Sequence, residues 1–193
     1  LHRRRHSFPT RRSSDLVLKD FYVKGVEGQT QDDLCRAFHE YYQHHQVKII
    51  KFYYDATGNH QTGNTKMTRA QQVLQQLQQL GWRAIPLTVM GTNPRHFEKY
   101  RLWERILQET DPRFPRFKLN RVNAKTTFIS MSRAKSKPGQ NGEIKKDKGS
   151  ERVDNPHREF ATDMSDALDN PVFMLYNQLM RDWGTPIPET RNQ

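Results

Sequence analysis

Two groups of aspartates are the residues whose type and spacing best suit catalytic chemistry. The first is Asp55, which directly follows the β-rich run IIKFYY and precedes Ala-Thr-Gly-Asn, so that a sharp turn leaves its carboxylate at the end of a predicted strand. Open α/β sheets bind ligands outside the carboxyl ends of their strands. Because Asp-x-x-Gly is also ordinary turn chemistry, Asp55 is either an accessible acidic ligand or a residue that caps a turn.

The second group lies in ATDMSDALDN, where Asp163, Asp166 and Asp169 are three residues apart. In a helix this spacing puts the carboxylates along one side, where they repel each other unless a cation neutralises them. Hard divalent cations such as Mg²⁺ take oxygen ligands of this kind. The alternative is an acidic first turn that complements the helix dipole.

A basic segment, residues 113–152, is the third candidate. It holds twelve Lys or Arg and three Asp or Glu, and phenylalanines are interleaved with the cations. This composition suits contact with a nucleic-acid backbone, and a solvated face with a linker is the alternative. The middle of the segment, KSKPGQNGEIKKDKGSE, is predicted to form a flexible hairpin or loop.

The composition favours an anionic partner and excludes several kinds of site. The 193 residues carry a net charge of +11 at pH 7, and 34% of them are hydrophobic, which allows a modest core. The single cysteine, Cys35, excludes a disulfide framework and a thiolate zinc site and is predicted to be a small buried residue. ATP hydrolysis is not expected, since no Gly-rich phosphate loop is present. The sequence has no apolar run near the ~20 residues of a membrane span and no secretory signal. A cytosolic protein with no membrane contact is therefore expected.

The first sixteen residues, LHRRRHSFPTRRSSDL, are set apart from the rest of the chain. They could form a basic arm for nucleic acid. Residues 7–16, however, look like the translation of a sequencing-library adapter. We therefore predict that residues 1–16 are not native and lie outside the fold, and that the domain begins at about Val17.

Strand and helix patterns alternate after that point, which predicts an α/β fold with parallel strand neighbours. Strands are predicted at 17–25, 47–59 and 83–91, where β-rich runs end in glycine or a turn. Helices are predicted within 29–45, 67–82, 95–110 and 157–180, with Gly81 as the stop of the second, and 181–193 form a loose tail.

In their order, these pieces resemble the nuclease domain of phage large terminase subunits. The resemblance lies in a strand followed by Asp-x-x-Gly-Asn, a helix ending in Gly-Trp, a strand leading to a long aromatic helix, and GEIKKDKGSE followed by PHREFATDMSDALDNPVFML. In that family a Lys-Asp-Lys hairpin precedes a helix carrying Thr-(His)-x-x-Asp-Ala. The resemblance covers nearly all of residues 17–180.

The resemblance implies a partial ribonuclease H-like fold, a mixed five-stranded sheet flanked by helices, whose acidic residues hold two Mg²⁺ or Mn²⁺ ions. It implies that Asp55 and Asp166 are catalytic metal ligands. Asp163 stands where many relatives have His, and would be a third ligand or a support for one. Phosphates near the cut would be held by basic residues: Arg133, Lys135, Lys145, Lys146 and Lys148.

The resemblance also implies that the 17–25 strand is the family's third strand, and that the first catalytic Asp, the first two strands and the ATPase domain lie upstream. The 17–25 strand would then lack a neighbour, the 47–59 strand would expose an apolar edge, and the fragment would be weakly stable with little or no cleavage. The implied role is cutting concatemeric DNA for capsid packaging in the host cytoplasm, with double-stranded DNA, the small terminase subunit and the portal protein as partners. The alternatives are a non-catalytic DNA-binding or assembly module of this fold, and a resolvase or transposase.

Overall fold

The chain forms short strands and longer helices in alternation. The computed structural model describes residues 14–22, 31–61, 66–88, 93–139, 144–147 and 163–181. The strands are β1 (Ser14–Val17), β2 (Ile49–Tyr54), β3 (Arg83–Thr88), β4 (Arg116–Leu119), β5 (Ser136–Pro138) and β6 (Ile144–Lys146). The helices are α1 (Gln31–Tyr42), α2 (Arg69–Gln79), α3 (His96–Gln108), α4 (Lys125–Arg133) and α5 (Asp163–Arg181), with a short 3₁₀ helix at Ala56–Asn59. The predicted α/β class is therefore confirmed, as a mixture of strands and helices.

The helices predicted from apolar periodicity are confirmed. α1, α2 and α3 lie inside the predicted ranges, and α5 covers the described part of the last one, since residues 157–162 lie outside the described residues. Gly81, the predicted stop after α2, has a φ of +83°, a conformation that glycine adopts without strain. None of the described helices is long and apolar enough to cross a membrane.

The described strands form three two-stranded sheets, whereas the resemblance implies one mixed sheet of five strands. β1 pairs with β4 and β2 with β3, both in parallel, and β5 pairs with β6 in an antiparallel hairpin. The parallel β2–β3 pair, joined through α2, agrees with the predicted strand neighbours. In the basic segment, the hairpin was expected, but β4 and α4 were not predicted as regular structure.

The first strand differs from the prediction in position and in partner. It spans Ser14–Val17, whereas the prediction was 17–25; residues 18–22 are not in a strand, and residues 23–25 lie outside the described residues. Residues 14–16 belong to the strand although the sequence predicts them outside the fold. The expectation that this strand lacks a neighbour is wrong, because β4 pairs with it. The strand ends early because Asp20 turns toward α4: its N–H donates to the Asn123 carbonyl (3.1 Å), and its carboxylate accepts from the N–H of Thr127 (2.7 Å).

Two apolar clusters hold the elements together. The first consists of Leu102, Ile106, Phe114 and Val172, and the second of Cys35, Leu77 and Trp82. Cys35 is buried and free, as the sequence predicts. Through the first cluster α5 packs against α3, and α5 also contacts α4 and β2. This packing fixes the helix that carries Asp166 against the strand that precedes Asp55.

A candidate acidic site at the end of a strand

Asp55 lies directly after β2 and caps the 3₁₀ helix that begins at Ala56. Its Oδ1 accepts hydrogen bonds from the Thr57 N–H (3.0 Å) and from the Thr57 hydroxyl (2.5 Å). The N–H of Ala56 donates to Oδ1 of Asn93 (2.7 Å), which ties the end of β2 to the segment that follows β3. The turn-capping interpretation is thus confirmed, and the carboxylate is half-buried at the carboxyl end of a parallel strand.

Asp166 lies in the first turn of α5 and is contacted by Lys146 of β6. The Lys146 ammonium donates to Asp166 Oδ1 (2.6 Å), to Asp169 Oδ2 (3.0 Å) and to the Ser165 hydroxyl (2.8 Å). The side chain of Lys146 is only 13% exposed. The lysine predicted to hold a phosphate therefore supplies the cation that two neighbouring carboxylates need.

Asp169 is the buried member of the acidic row on α5. Its side chain is 9% exposed, and its second oxygen, Oδ1, accepts a hydrogen bond from the Trp103 indole N–H (2.7 Å). With Lys146 on one oxygen and Trp103 on the other, the burial cost of this carboxylate is offset by a charge and by hydrogen bonds. Asp169 thus joins α3, β6 and α5.

Lys99 of α3 is a second buried lysine, which the sequence analysis did not identify. The residue is 8% exposed, and its ammonium donates to Oδ1 of Asn170 (2.8 Å). A periodicity signal was present, because Lys99 stands three and seven residues before the core residues Leu102 and Ile106.

The electrostatic surroundings of Lys99 connect the two groups of aspartates. Burial lowers the pKa of Lys99, and the negative charges of Asp169, Asp166 and Asp55 oppose that shift. Lys146 adds a smaller lowering, and the net direction of the pKa is downward. Asp55 and Asp166, far apart in the chain, therefore act on the same ammonium group.

The other predicted site residues lie on the surface around this region or outside the described residues. Asp163 is exposed at the first position of α5. Arg133, Lys135 and Lys145 are exposed at the end of α4, just after it and on β6. Lys148 lies outside the described residues.

The described residues can be compared with the metal site that the resemblance implies. Among them, no group of three or more His, Cys, Asp or Glu side chains is placed to hold a metal ion. They therefore do not by themselves form a two-ion site. Mg²⁺ is commonly bound through one or two carboxylates together with water and substrate phosphates. Asp55 and Asp166 are both half-buried carboxylates, so their chemistry fits this smaller ligand set.

Comparisons with protein family models, with curated proteins and with solved structures found no match to this chain. A functional assignment therefore depends on the residues and their geometry.

Proposed function

We propose that this chain is part of a metal-dependent endonuclease of the large terminase type, in which Asp55 and Asp166 bind a divalent cation. The observation that carries the proposal is the contact of α5 with β2. Phe52 and Tyr53, shortly before Asp55, and Met164 and Ala167, on either side of Asp166, line the same cavity. The carboxyl end of a parallel strand is where α/β proteins bind ligands.

The chain's own groups have distinct roles in this proposal. Thr57 holds one oxygen of Asp55, and Lys146 holds one oxygen of Asp166, so both carboxylates are oriented before any cation binds. When bound, Mg²⁺ or Mn²⁺ would lower the pKa of a bound water and polarise the phosphate. Exposed cations on the nearby surface, such as Lys135 and Lys145, would contact phosphates without reading sequence.

The finer fold and the biological role belong to the same proposal. A ribonuclease H-like arrangement is supported by the parallel β2–β3 pair and by the basic hairpin that precedes the acidic helix. The substrate would be concatemeric double-stranded DNA in the host cytoplasm, and the small terminase subunit and portal protein would be partners. A second ion, with Asp163 in support, would complete the site.

A non-catalytic DNA-binding module of the same fold is the second candidate. The observation that favours it is the Lys146 ammonium, which lies 2.6 Å from Asp166 and 3.0 Å from Asp169. A lysine in this position offsets part of the repulsion between the two carboxylates, so that a metal ion is not needed to hold them together. The two candidates differ in whether Asp166 binds Mn²⁺ in spite of this lysine.

A titration of the 193-residue chain with Mn²⁺ tests the metal site. Binding is measured by the loss of the electron paramagnetic resonance signal of the free ion. We expect Asp55→Asn and Asp166→Asn each to weaken Mn²⁺ binding about tenfold or more, the size of loss seen when metal-site partners are removed. Asp32→Asn, on the exposed surface of α1, is the matched control and should bind like the unaltered chain. Equal Mn²⁺ affinity in all four proteins would remove Asp55 and Asp166 as ligands and favour the binding module.

A further inference from the structure

A cavity of about 210 Å³ lies between α3, α4, the β5–β6 hairpin and α5. Tyr100 and Trp103 of α3 form part of its wall, and neither Asp55 nor Asp166 is among its described lining residues. The cavity is therefore a separate site from the proposed pair of metal ligands. Its volume is below the ~300 Å³ at which pockets for drug-sized ligands begin, so it can enclose a phosphate group, and the rest of a nucleotide would extend over the exposed ring of Tyr100.

The charged groups that line the cavity are mainly cationic. Lys99, Lys135 and Lys146 line it together with one carboxylate, that of Asp169. Both oxygens of Asp169 already accept hydrogen bonds, from Trp103 and from Lys146. With Lys146 paired to Asp169, Lys99 and Lys135 leave the lining of the cavity positively charged, which favours an anionic ligand.

Lys99 is the group best placed to hold that anion. An ammonium has three N–H donors, and the described partner of Lys99 is the neutral side-chain oxygen of Asn170. By contrast, the three donors of Lys146 are directed at Ser165, Asp166 and Asp169. Lys99 is 8% exposed, and the nearby charges of Asp169, Asp166 and Asp55 only partly offset the burial that lowers its pKa, so an anion in contact with the ammonium would stabilise its charge.

The aromatic wall offers a surface for a nucleobase. Tyr100 is 48% exposed, so its ring is accessible to a ligand. Trp103 is held in place by its hydrogen bond to Asp169 and by an edge-on contact with Phe117, at 4.9 Å between ring centroids. Rigid aromatic rings beside cationic groups are the usual platform for an unstacked base and its phosphate.

We propose that this cavity binds one nucleotide, with its phosphate on Lys99 and its base against Tyr100 and Trp103. The choice of a nucleotide rests on the proposed nucleic-acid function, whereas the anion site rests on Lys99. Such a site would hold an unpaired end or a displaced nucleotide of a DNA substrate.

The test is a nuclear magnetic resonance titration of the 193-residue chain with thymidine 5′-monophosphate, thymidine and inorganic phosphate, in EDTA. The readout is the indole N–H signal of Trp103, assigned by its loss in Trp103→Phe. We expect the monophosphate to shift this signal and to bind about tenfold or more tightly than either thymidine or inorganic phosphate, since a charge-assisted contact and a stacked base both contribute. No metal is present, so failure of cleavage and failure of this site are distinguishable.

Two variants and a control assign the contacts. Lys99→Met should lose most of the affinity for the monophosphate, and Tyr100→Ala should lose affinity for the monophosphate but not for inorganic phosphate. Lys125→Met, at the exposed start of α4, should bind like the unaltered chain. Unchanged binding in Lys99→Met, or equal binding of thymidine and its monophosphate, would overturn the proposal. If Lys99→Met does not fold, Tyr100→Ala and the thymidine comparison decide in its place, because Tyr100 is exposed.

Discussion

Lys146 is the residue on which the acidic part of the site depends. Its ammonium serves two carboxylates and a hydroxyl from one turn of α5, and it reaches them from a hairpin that is separate in sequence. The lysine thus has two effects: it stabilises the packing of the hairpin on α5, and it reduces the affinity of Asp166 for any other cation.

Replacing Lys146 by Met tests the first effect. The change leaves the Asp169 carboxylate, with a side chain 9% exposed, without its cation. We expect a loss of about 3 kcal/mol in the free energy of unfolding, measured by urea denaturation, because a buried charge without its partner is strongly destabilising.

The matched control for this variant is Lys137→Met in the same hairpin. The Lys137–Asp147 ion pair has side chains 56% and 39% exposed, so its loss should cost under about 1 kcal/mol. Similar losses in the two variants would mean that Lys146 is a surface cation and not the partner of a buried carboxylate.

For individual residues, the sequence predicted the element on which some candidates lie but not the side chains that they contact. Asp55 follows β2 as expected from the turn after a β-rich run, and Asp166 lies on a helix as expected from its spacing. Lys146 was assigned a phosphate contact because local sequence does not show that α5 lies beside the hairpin. Lys99 was missed because a lysine reads as solvated, although its spacing from Leu102 placed it on the buried face of α3.

At the scale of the secondary-structure elements, an ion pair between Asp111 and Arg113 fixes the connection from α3 to β4. Asp111 accepts three hydrogen bonds from the Arg113 guanidinium and one from the Arg113 N–H, at 2.7 to 3.2 Å. Phe114, buried in the first cluster, follows at once. The ion pair therefore sets the direction in which the chain enters the core.

This ion pair predicts a pH dependence of stability. Hydrogen bonding to the Arg113 side chain lowers the pKa of Asp111 below its ordinary value near 3.8. A lowered pKa in the folded state contributes stability that is present above the unfolded pKa and is lost as the pH falls through the folded one.

The unaltered chain should therefore lose stability below about pH 4, and Asp111→Asn should lose less of it over that range. Thermal unfolding between pH 2.5 and 6 measures both. The control is Asp33→Asn in the exposed ion pair with Arg36, which should follow the unaltered chain. An Asp111→Asn curve parallel to that of the unaltered chain would contradict the assignment.

α4 was not predicted, because a residue distant in the chain accepts a hydrogen bond from a backbone N–H group at its start. α1, α2 and α3 were predicted because their apolar periodicity is local, and α2 also carries its own capping box at Thr68 and Gln71. α4 has no side-chain cap at Ala124, and the N–H of Thr127 is instead satisfied by Asp20. No local pattern reveals that contact, and the same contact ends β1 early.

At the scale of the whole molecule, α5 connects the two parallel strand pairs, which do not share a sheet among the described residues. α5 contacts β2, and the Tyr176 hydroxyl of α5 donates to the Asp15 carboxylate of β1. Sequence patterns predict β2 and β3 but not which sheet a strand joins, since pairing depends on contacts distant in the chain. The α/β class was therefore predictable, whereas the arrangement of the strand pairs was not.

The central claim is that Asp55 and Asp166 serve a metal-dependent nuclease, and Mn²⁺-dependent nicking of a supercoiled plasmid tests it most directly. Because the proposed two-ion site needs a carboxylate beyond these two, the assay uses the chain joined to the upstream strands of a large terminase subunit, beside its Asp166→Asn form and the control Asp32→Asn. We expect nicking that EDTA abolishes. Asp166→Asn should reduce the nicking rate about a hundredfold or more, or roughly 2.7 kcal/mol, and Asp32→Asn should nick like the unaltered protein. A folded protein that binds the plasmid but never nicks it, or that nicks it equally well as Asp166→Asn, would contradict the account.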